Sequence, residues 1–251
     1  MLIKKPFKKG NGGIVAPYYK AAGGGGLGLQ TSCTGFWEFE TTSWLDSTGN
    51  GTTLTGTGAP TTTTGIVGNA ASLVASTSYL QAANNANINS GGGSFSIQLW
   101  LNTASIAVGD DFFFSKSLAT FGNIEWGLGT HFTTTNVFSF RCSDTSTTFF
   151  MANDTVVGTT GSFVHLIGTF DSSTGAMILY KNGSQVGTTT LTGTLNSSAS
   201  APLNFGNNGS TISSQNSKVD QAGFWKGRVL SAGDVTALYN SGSGLSYAAM
   251  L

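Results

Sequence analysis

The chain has 251 residues and a mass of 25.8 kDa, enough to bury the core of one β-sandwich or of two small domains. Only 9% of residues are charged while glycine fills 36 positions, which argues against long solvated helices, coiled coils and an α/β nucleotide enzyme. Net charge is zero but uneven: the first thirty residues hold Lys4, Lys5, Lys8, Lys9 and Lys20 and no acid, leaving six Lys and Arg against eleven acids beyond them.

Residues 1–32 read as an extended, basic, Gly-rich docking arm that ends in the Gly23 to Gly26 run. Such a segment is too polar to pack alone, and its charge suits an acidic partner surface. No apolar run follows the N-terminal lysines at the length of an export signal or a membrane span, so neither is expected. From Phe36 onward, short β-rich segments alternate with Gly, Asn, Ser and Asp clusters, the pattern of a sandwich or barrel. Strands are predicted over 95–101, 137–140, 163–170 and 177–180. Asp171 to Gly175 and Lys181 to Ser184 read as hairpin turns, which ties three consecutive strands into an antiparallel set. One short helix is predicted near the C-terminus, where Ser231 and Asp234 form a capping box and Val235, Leu238 and Tyr239 share a face before Gly242. Cys33 and Cys142 form no CxxC pair; they are read as buried free thiols rather than as a disulfide.

Several segments carry a family resemblance in their order and spacing. They are GFWEFE (Gly35 to Glu40), DSTGNG (Asp46 to Gly51), GIVGNAASLV (Gly65 to Val74), FSIQLWLNT (Phe95 to Thr103) and FSFRCSD (Phe138 to Asp144). FVHLIGTFD (Phe163 to Asp171), GAMILYKNG (Gly175 to Gly183), LNFGN (Leu203 to Asn207) and the closing Val219 to Gly242 follow in turn. Together they resemble a laminin-G-like, concanavalin A-like lectin jelly-roll domain. The resemblance implies an all-β fold: a two-sheet antiparallel β-sandwich over 33–251, with the arm before it and the one short helix at its end.

Such sandwiches serve several functions, so the chemistry has to come from individual residues. Glu38 and Glu40 share a face by period two, but their place in the opening strand is not that of the paired acids of related glucanases, and no catalytic residue is assigned. His131 and His165 lack a nucleophile motif, and His165 sits in an alternating strand as a structural histidine. Asp46, Asn50, Asp110, Asp111, Asp171 and Asp220 lie in or beside predicted loops, where Asx turns explain them better than bound calcium, so neither a metal nor a cofactor is assigned. Glycans are bound by aromatic faces flanked by amides, and the candidate platforms are Trp44, Trp126 and Trp225, with Phe149 and Phe150 beside them.

Domains of this kind act mostly outside cells, yet neither an export signal nor an anchor is expected, and a virion reconciles the two. The expected function is that of a non-enzymatic virion structural protein at the particle surface, a bacteriophage head decoration or cement protein. It would dock on capsid or tail subunits through Lys4, Lys5, Lys8, Lys9 and Lys20, as a homo-oligomer or in many copies, and adhere to host or environmental glycans. A phage tail-fibre or receptor-binding protein and a cell-surface carbohydrate-binding module are the alternatives. No membrane and no specific nucleic acid is expected as a partner, because the acidic body lacks a basic stripe.

Overall fold

Alternation along the strands decides which side chains enter the core of the computed structural model, which describes residues 27–251 apart from 108, 110, 119–122, 132, 135, 210, 211 and 214. The strands are β1 (Cys33–Trp37), β2 (Thr55–Thr57), β3 (Thr61–Thr64), β4 (Asn69–Leu73), β5 (Tyr79–Ala82), β6 (Phe95–Thr103), β7 (Phe112–Ser117) and β8 (Ile124–Thr130). They continue as β9 (Phe138–Ser143), β10 (Phe149–Asn153), β11 (Val164–Phe170), β12 (Ala176–Lys181), β13 (Ser184–Thr190), β14 (Leu203–Phe205) and β15 (Ser217–Lys226). One sheet runs β13-β12-β11-β6-β15-β4-β3, with β1 also pairing β15; the other runs β10-β9-β8-β7-β14-β5-β2. Every pairing is antiparallel, so the predicted two-sheet sandwich is the observed architecture.

Strand β6 shows how the layers divide. Phe95, Ile97, Leu99 and Leu101 point between the sheets, where they meet Phe140, Leu128 and Phe224 in the main core. The alternate residues Ser96, Gln98 and Trp100 face outward and are nevertheless buried. They are covered because a second apolar cluster lies outside the first sheet: Phe36, Ile167, Tyr180 and Trp225 pack against Val235, Leu238 and Met250. The helix α1 (Ala232–Tyr239) thus survives at eight residues by burying one face on the sheet. The predicted capping box is present at Ser231 and Asp234, but the helix ends at Asn240, whose left-handed backbone (φ 47°) comes before Gly242.

Both predicted hairpins form. Gly175 N–H bonds Asp171 O at 2.8 Å while Asp171 Oδ1 accepts from Ser173 N at 2.9 Å, closing the β11–β12 turn. Asn182 (φ 50°) and Gly183 (φ 83°) are both left-handed, as a two-residue type I′ turn between β12 and β13 requires. Cys33 and Cys142 are buried free thiols, and desolvation pushes both well above the usual thiol range.

The predicted arm boundary moves. Residues 27–32 belong to the body: Leu29 is buried, Leu29 N–H bonds Met250 O at 3.1 Å, and Trp225 Nε1 donates to Leu29 O at 2.6 Å. Arg228 Nη1 holds Gly28 O and Thr31 O at 2.8 and 3.0 Å. Glycine spacing in the sequence hides this, because the partners of 27–32 lie about two hundred residues away in the chain. Among the described residues no helix is long and apolar enough to cross a membrane.

Candidate functional site

Lys4, Lys5, Lys8, Lys9 and Lys20, the lysines expected to dock, lie outside the described residues. The tryptophan platforms require correction. Trp126 and Trp225 have no exposed surface, and Trp44 retains 5%. Trp126 stacks on Phe224 with ring centroids 5.7 Å apart and meets Phe114 edge-on at 4.9 Å. Trp44 packs on Phe39, and Trp225 lies edge-on to Phe36 beneath the arm root. All three are core residues, because an indole is the largest apolar group available to fill a sandwich.

Glu38 and Glu40 are not a strand pair. β1 ends at Trp37, and Phe39 is left-handed (φ 57°), which breaks the alternation. Glu38 accepts from Ser47 Oγ at 2.7 Å and from Tyr247 N at 2.9 Å, whereas Glu40 accepts from Asn69 N at 3.0 Å. The aspartates also serve local structure. Asp46 Oδ1 accepts from Phe36 N and Thr48 N at 3.1 and 3.0 Å, and its Oδ2 accepts from Thr52 N at 3.3 Å. Among the described residues no three His, Cys, Asp or Glu side chains come together as a metal site.

His165 and Asp220 sit on the outer face of the first sheet, in one buried polar chain. The His165, Trp100 and Tyr239 rings pack on one another, with centroids 4.7 Å (His165–Trp100), 6.1 Å (His165–Tyr239) and 5.8 Å (Trp100–Tyr239) apart, and His165 Nε2 lies 3.3 Å from Gln98 Oε1. Gln98 Nε2 donates to Gln221 O at 2.8 Å. Asp220 Oδ2 accepts from Ile66 N (2.8 Å) and Val67 N (3.1 Å), while Oδ1 accepts from Gln221 N (2.7 Å). Desolvation drops His165 to about 3 and raises Asp220 to about 7, the latter against the pull of its N–H donors. The two act with opposite sign on stability. Between about pH 3 and 6.5 the unfolded chain binds a proton that native His165 refuses, so stability rises with pH. Between about pH 4 and 7 native Asp220 keeps a proton that the unfolded chain has lost, so stability falls as pH rises. These two contributions largely cancel from about pH 4 to 6.5. Urea midpoints measured across pH 3 to 8 should therefore climb through the acid range in Asp220→Asn and decline toward pH 7 in His165→Gln; parallel profiles would contradict the assignment.

The outer face of the second sheet is polar but closed. Ser115 Oγ donates to Asn207 O at 3.0 Å and Ser117 Oγ to Asn208 O at 2.7 Å, so the connection from β14 to β15 lies on it. Phe112 rests against Gly127, where an added Cβ would come within 2.3 Å of the ring, and the Arg141 guanidinium sits 4.5 Å from the ring centroid.

An open surface appears where the two sheets meet along one edge. Strand alternation places Phe149, Met151 and Asn153 of β10 on one face, opposite Ser143, Arg141 and Ser139 of β9. β13 closes on β10 because Gly187 has no side chain: a Cβ there would fall 2.2 Å from Asn153 O. Between these edge strands runs a groove of about 390 Å3, lined by Met151, Asn153, Thr155, Gln185, Val186, Gly187 and Thr188. Ser139 Oγ donates to Asn153 Oδ1 at 2.8 Å, which orients the amide and leaves its Nδ2 donors to the groove. Among the described residues the Gln185 amide has no side-chain partner. The groove therefore offers amide donors and acceptors beside the apolar Met151 and Val186, and no charge. None of its lining is among the expected glycan platforms; Phe149 and Phe150, which are, lie beside it half-buried, with Phe150 packed on the core. Period-two alternation in 149–153 marks one wall, but the other wall is 32 residues on and is joined only by the fold.

Comparison with solved structures finds the same fold. The binding domain of Paraclostridial Mosquitocidal Protein 1 aligns with a TM-score of 0.69 at 16% identity, covering 85% of this chain and 53% of that one. The binding domain of Botulinum Neurotoxin DC, in complex with SialylT, gives 0.68 at 14% identity with 85% and 52% covered. Domain 4 of AbnA, an extracellular GH43 arabinanase from Geobacillus stearothermophilus, in complex with arabinotriose, gives 0.63 at 20% identity with 82% and 97% covered. The chain spans about half the length of the two toxin binding domains. A comparison with curated proteins by sequence finds no match. Residues 74–236 match the Laminin_G_3 family, and with the two-sheet sandwich that contains them they establish that this chain belongs to the concanavalin A-like lectin/glucanases superfamily.

Proposed function

We propose that this protein is a non-enzymatic display module that binds glycans in the groove between β10 and β13. The observation that carries the reading is the groove itself: the Asn153 amide, oriented by Ser139, and the Gln185 amide next to aliphatic surface, in an open uncharged channel at a sheet edge. The carboxylates support a non-catalytic role, since Glu38, Glu40, Asp46, Glu125 and Asp220 are each engaged by backbone or side-chain donors. Two of the similar solved structures were obtained with SialylT and with arabinotriose, and both are read here as fold analogues.

In this reading the basic leader is the tether. Its root at 27–32 lies on β15 and the C-terminal residues, and β13 is four strand spacings away across the sheet, about 19 Å. Attachment through the root therefore leaves the groove clear. The five lysines suit an acidic face on a neighbouring subunit, and a bacteriophage particle, with this chain as a head decoration or cement protein, is the assembly we assign to it; a tail-fibre or cell-surface module would use the same groove.

One experiment tests both halves. On immobilised glycans the full chain should bind, and the double variant Asn153→Ala, Gln185→Ala should lose at least about tenfold in affinity, the loss of one or two hydrogen bonds, with its unfolding midpoint unchanged. Charge reversal of Lys4, Lys5, Lys8, Lys9 and Lys20 to Glu should leave glycan binding intact and abolish incorporation into particles. Undiminished binding by the double variant overturns the site, and undiminished incorporation overturns the tether.

A further inference from the structure

We infer that the groove selects uncharged, N-acetylated sugars. This rests on the glycan-binding reading and names the class of ligand. The first argument is charge. None of the seven lining residues is ionisable. Of the ions beside it, Lys181 and the buried Asp154 are bonded to each other, Lys181 Nζ also donates to Val156 O at 3.4 Å, and Arg141, cross-strand from Met151, is fully buried with its guanidinium against the Phe112 ring. A sialic acid or uronic acid carboxylate entering the groove would lose water and gain no counter-charge, which is unfavourable.

The second argument is a pair of exposed aliphatic side chains. Val156 and Val157 directly follow the lining residue Thr155 and are 60% and 68% exposed. Their exposure is built rather than frayed. Asp154 N–H bonds Phe138 O at 2.9 Å, Asp154 Oδ1 accepts from Val156 N at 2.9 Å, and Gly158 N–H bonds Asn136 O at 2.7 Å. Gly158 is itself wedged in place, since a Cβ there would come within 2.4 Å of Ile106. Two β-branched residues with few rotamers are thus held exposed in the chain directly after the lining residue Thr155.

An acetamido group matches that combination. Its carbonyl accepts from Asn153 Nδ2, its N–H donates to the Gln185 amide oxygen, and its methyl removes aliphatic surface from water. A sugar bearing hydroxyls alone could use the amides but would leave the valines hydrated.

Titration calorimetry of the full chain with N,N′-diacetylchitobiose, cellobiose, arabinotriose and sialyllactose tests this. The account predicts that diacetylchitobiose binds about tenfold more tightly than cellobiose or arabinotriose, roughly what burying a methyl together with valine surface supplies. Val156→Ser with Val157→Ser, both at exposed positions, should bring the ratio to about twofold or less while the unfolding midpoint stays put. Equal affinity for cellobiose, or a preference for sialyllactose, overturns the acetamido assignment and leaves the glycan-binding reading standing. Failure of all four sugars to bind overturns both. A selectivity that survives the valine substitutions removes the valines from the site.

Discussion

Replacing Glu125 with alanine should lower the unfolding free energy by about 3–5 kcal/mol, because it strands a buried ammonium group. Glu125 Oε2 lies 2.7 Å from Lys116 Nζ, with both side chains fully buried. Its Oε1 accepts from Ser90 N at 3.0 Å and from Ser90 Oγ, while Lys116 also donates to Ser198 O at 2.9 Å. The pair therefore fastens the loops after β5 and before β14 to the strands β7 and β8. Removing both charges together, as Lys116→Met with Glu125→Leu, should recover most of the loss. About 1–3 kcal/mol would remain, since the Ser90 N–H then has no acceptor. Urea denaturation with m-values compared across the three proteins measures this directly. A cost below about 1 kcal/mol for the single change, typical of an exposed ion pair, would contradict the burial argument.

Trp126→Ala should cost about 3–5 kcal/mol, through lost transfer energy and the cavity left between Phe95, Phe114 and Phe224. Trp126→Phe should cost far less. The indole Nε1 is buried without a hydrogen-bond partner among the described residues, so phenylalanine removes an unsatisfied donor as well as volume. Thermal midpoints of the two variants, together with glycan binding of the phenylalanine form, separate a core role from a ligand platform. Normal stability with lost binding in Trp126→Phe would restore the platform reading.

Local chemistry made much of this fold legible. Asn182-Gly183 can only turn tightly with both residues left-handed, and Ser231 with Asp234 announces a helix start, so these features follow from a few adjacent residues. The alternation in 95–101 identified a strand, and the structure extends it to Thr103. What local pattern could not supply was depth. In a sandwich with one outer face covered by a helix and the other by a loop, both faces of a central strand are buried, so the rule of one face in and one face out fails for Gln98, Trp100 and His165. The same failure made Trp225 look available. The groove was illegible for a different reason: Asn153 and Gln185 acquire their meaning only when β13, on the edge of one sheet, meets β10 on the edge of the other, a contact that depends on the absence of a side chain at Gly187.

The central claim is that ligand recognition happens at that edge. Backbone amide shifts followed by nuclear magnetic resonance while the full chain is titrated with N,N′-diacetylchitobiose test it most directly. The account predicts that the signals that move belong to Met151–Val157 and Gln185–Thr188. Shifts confined instead to β7, β8 and β9, or to the segment around Leu29 and Trp225, would place recognition elsewhere and contradict it.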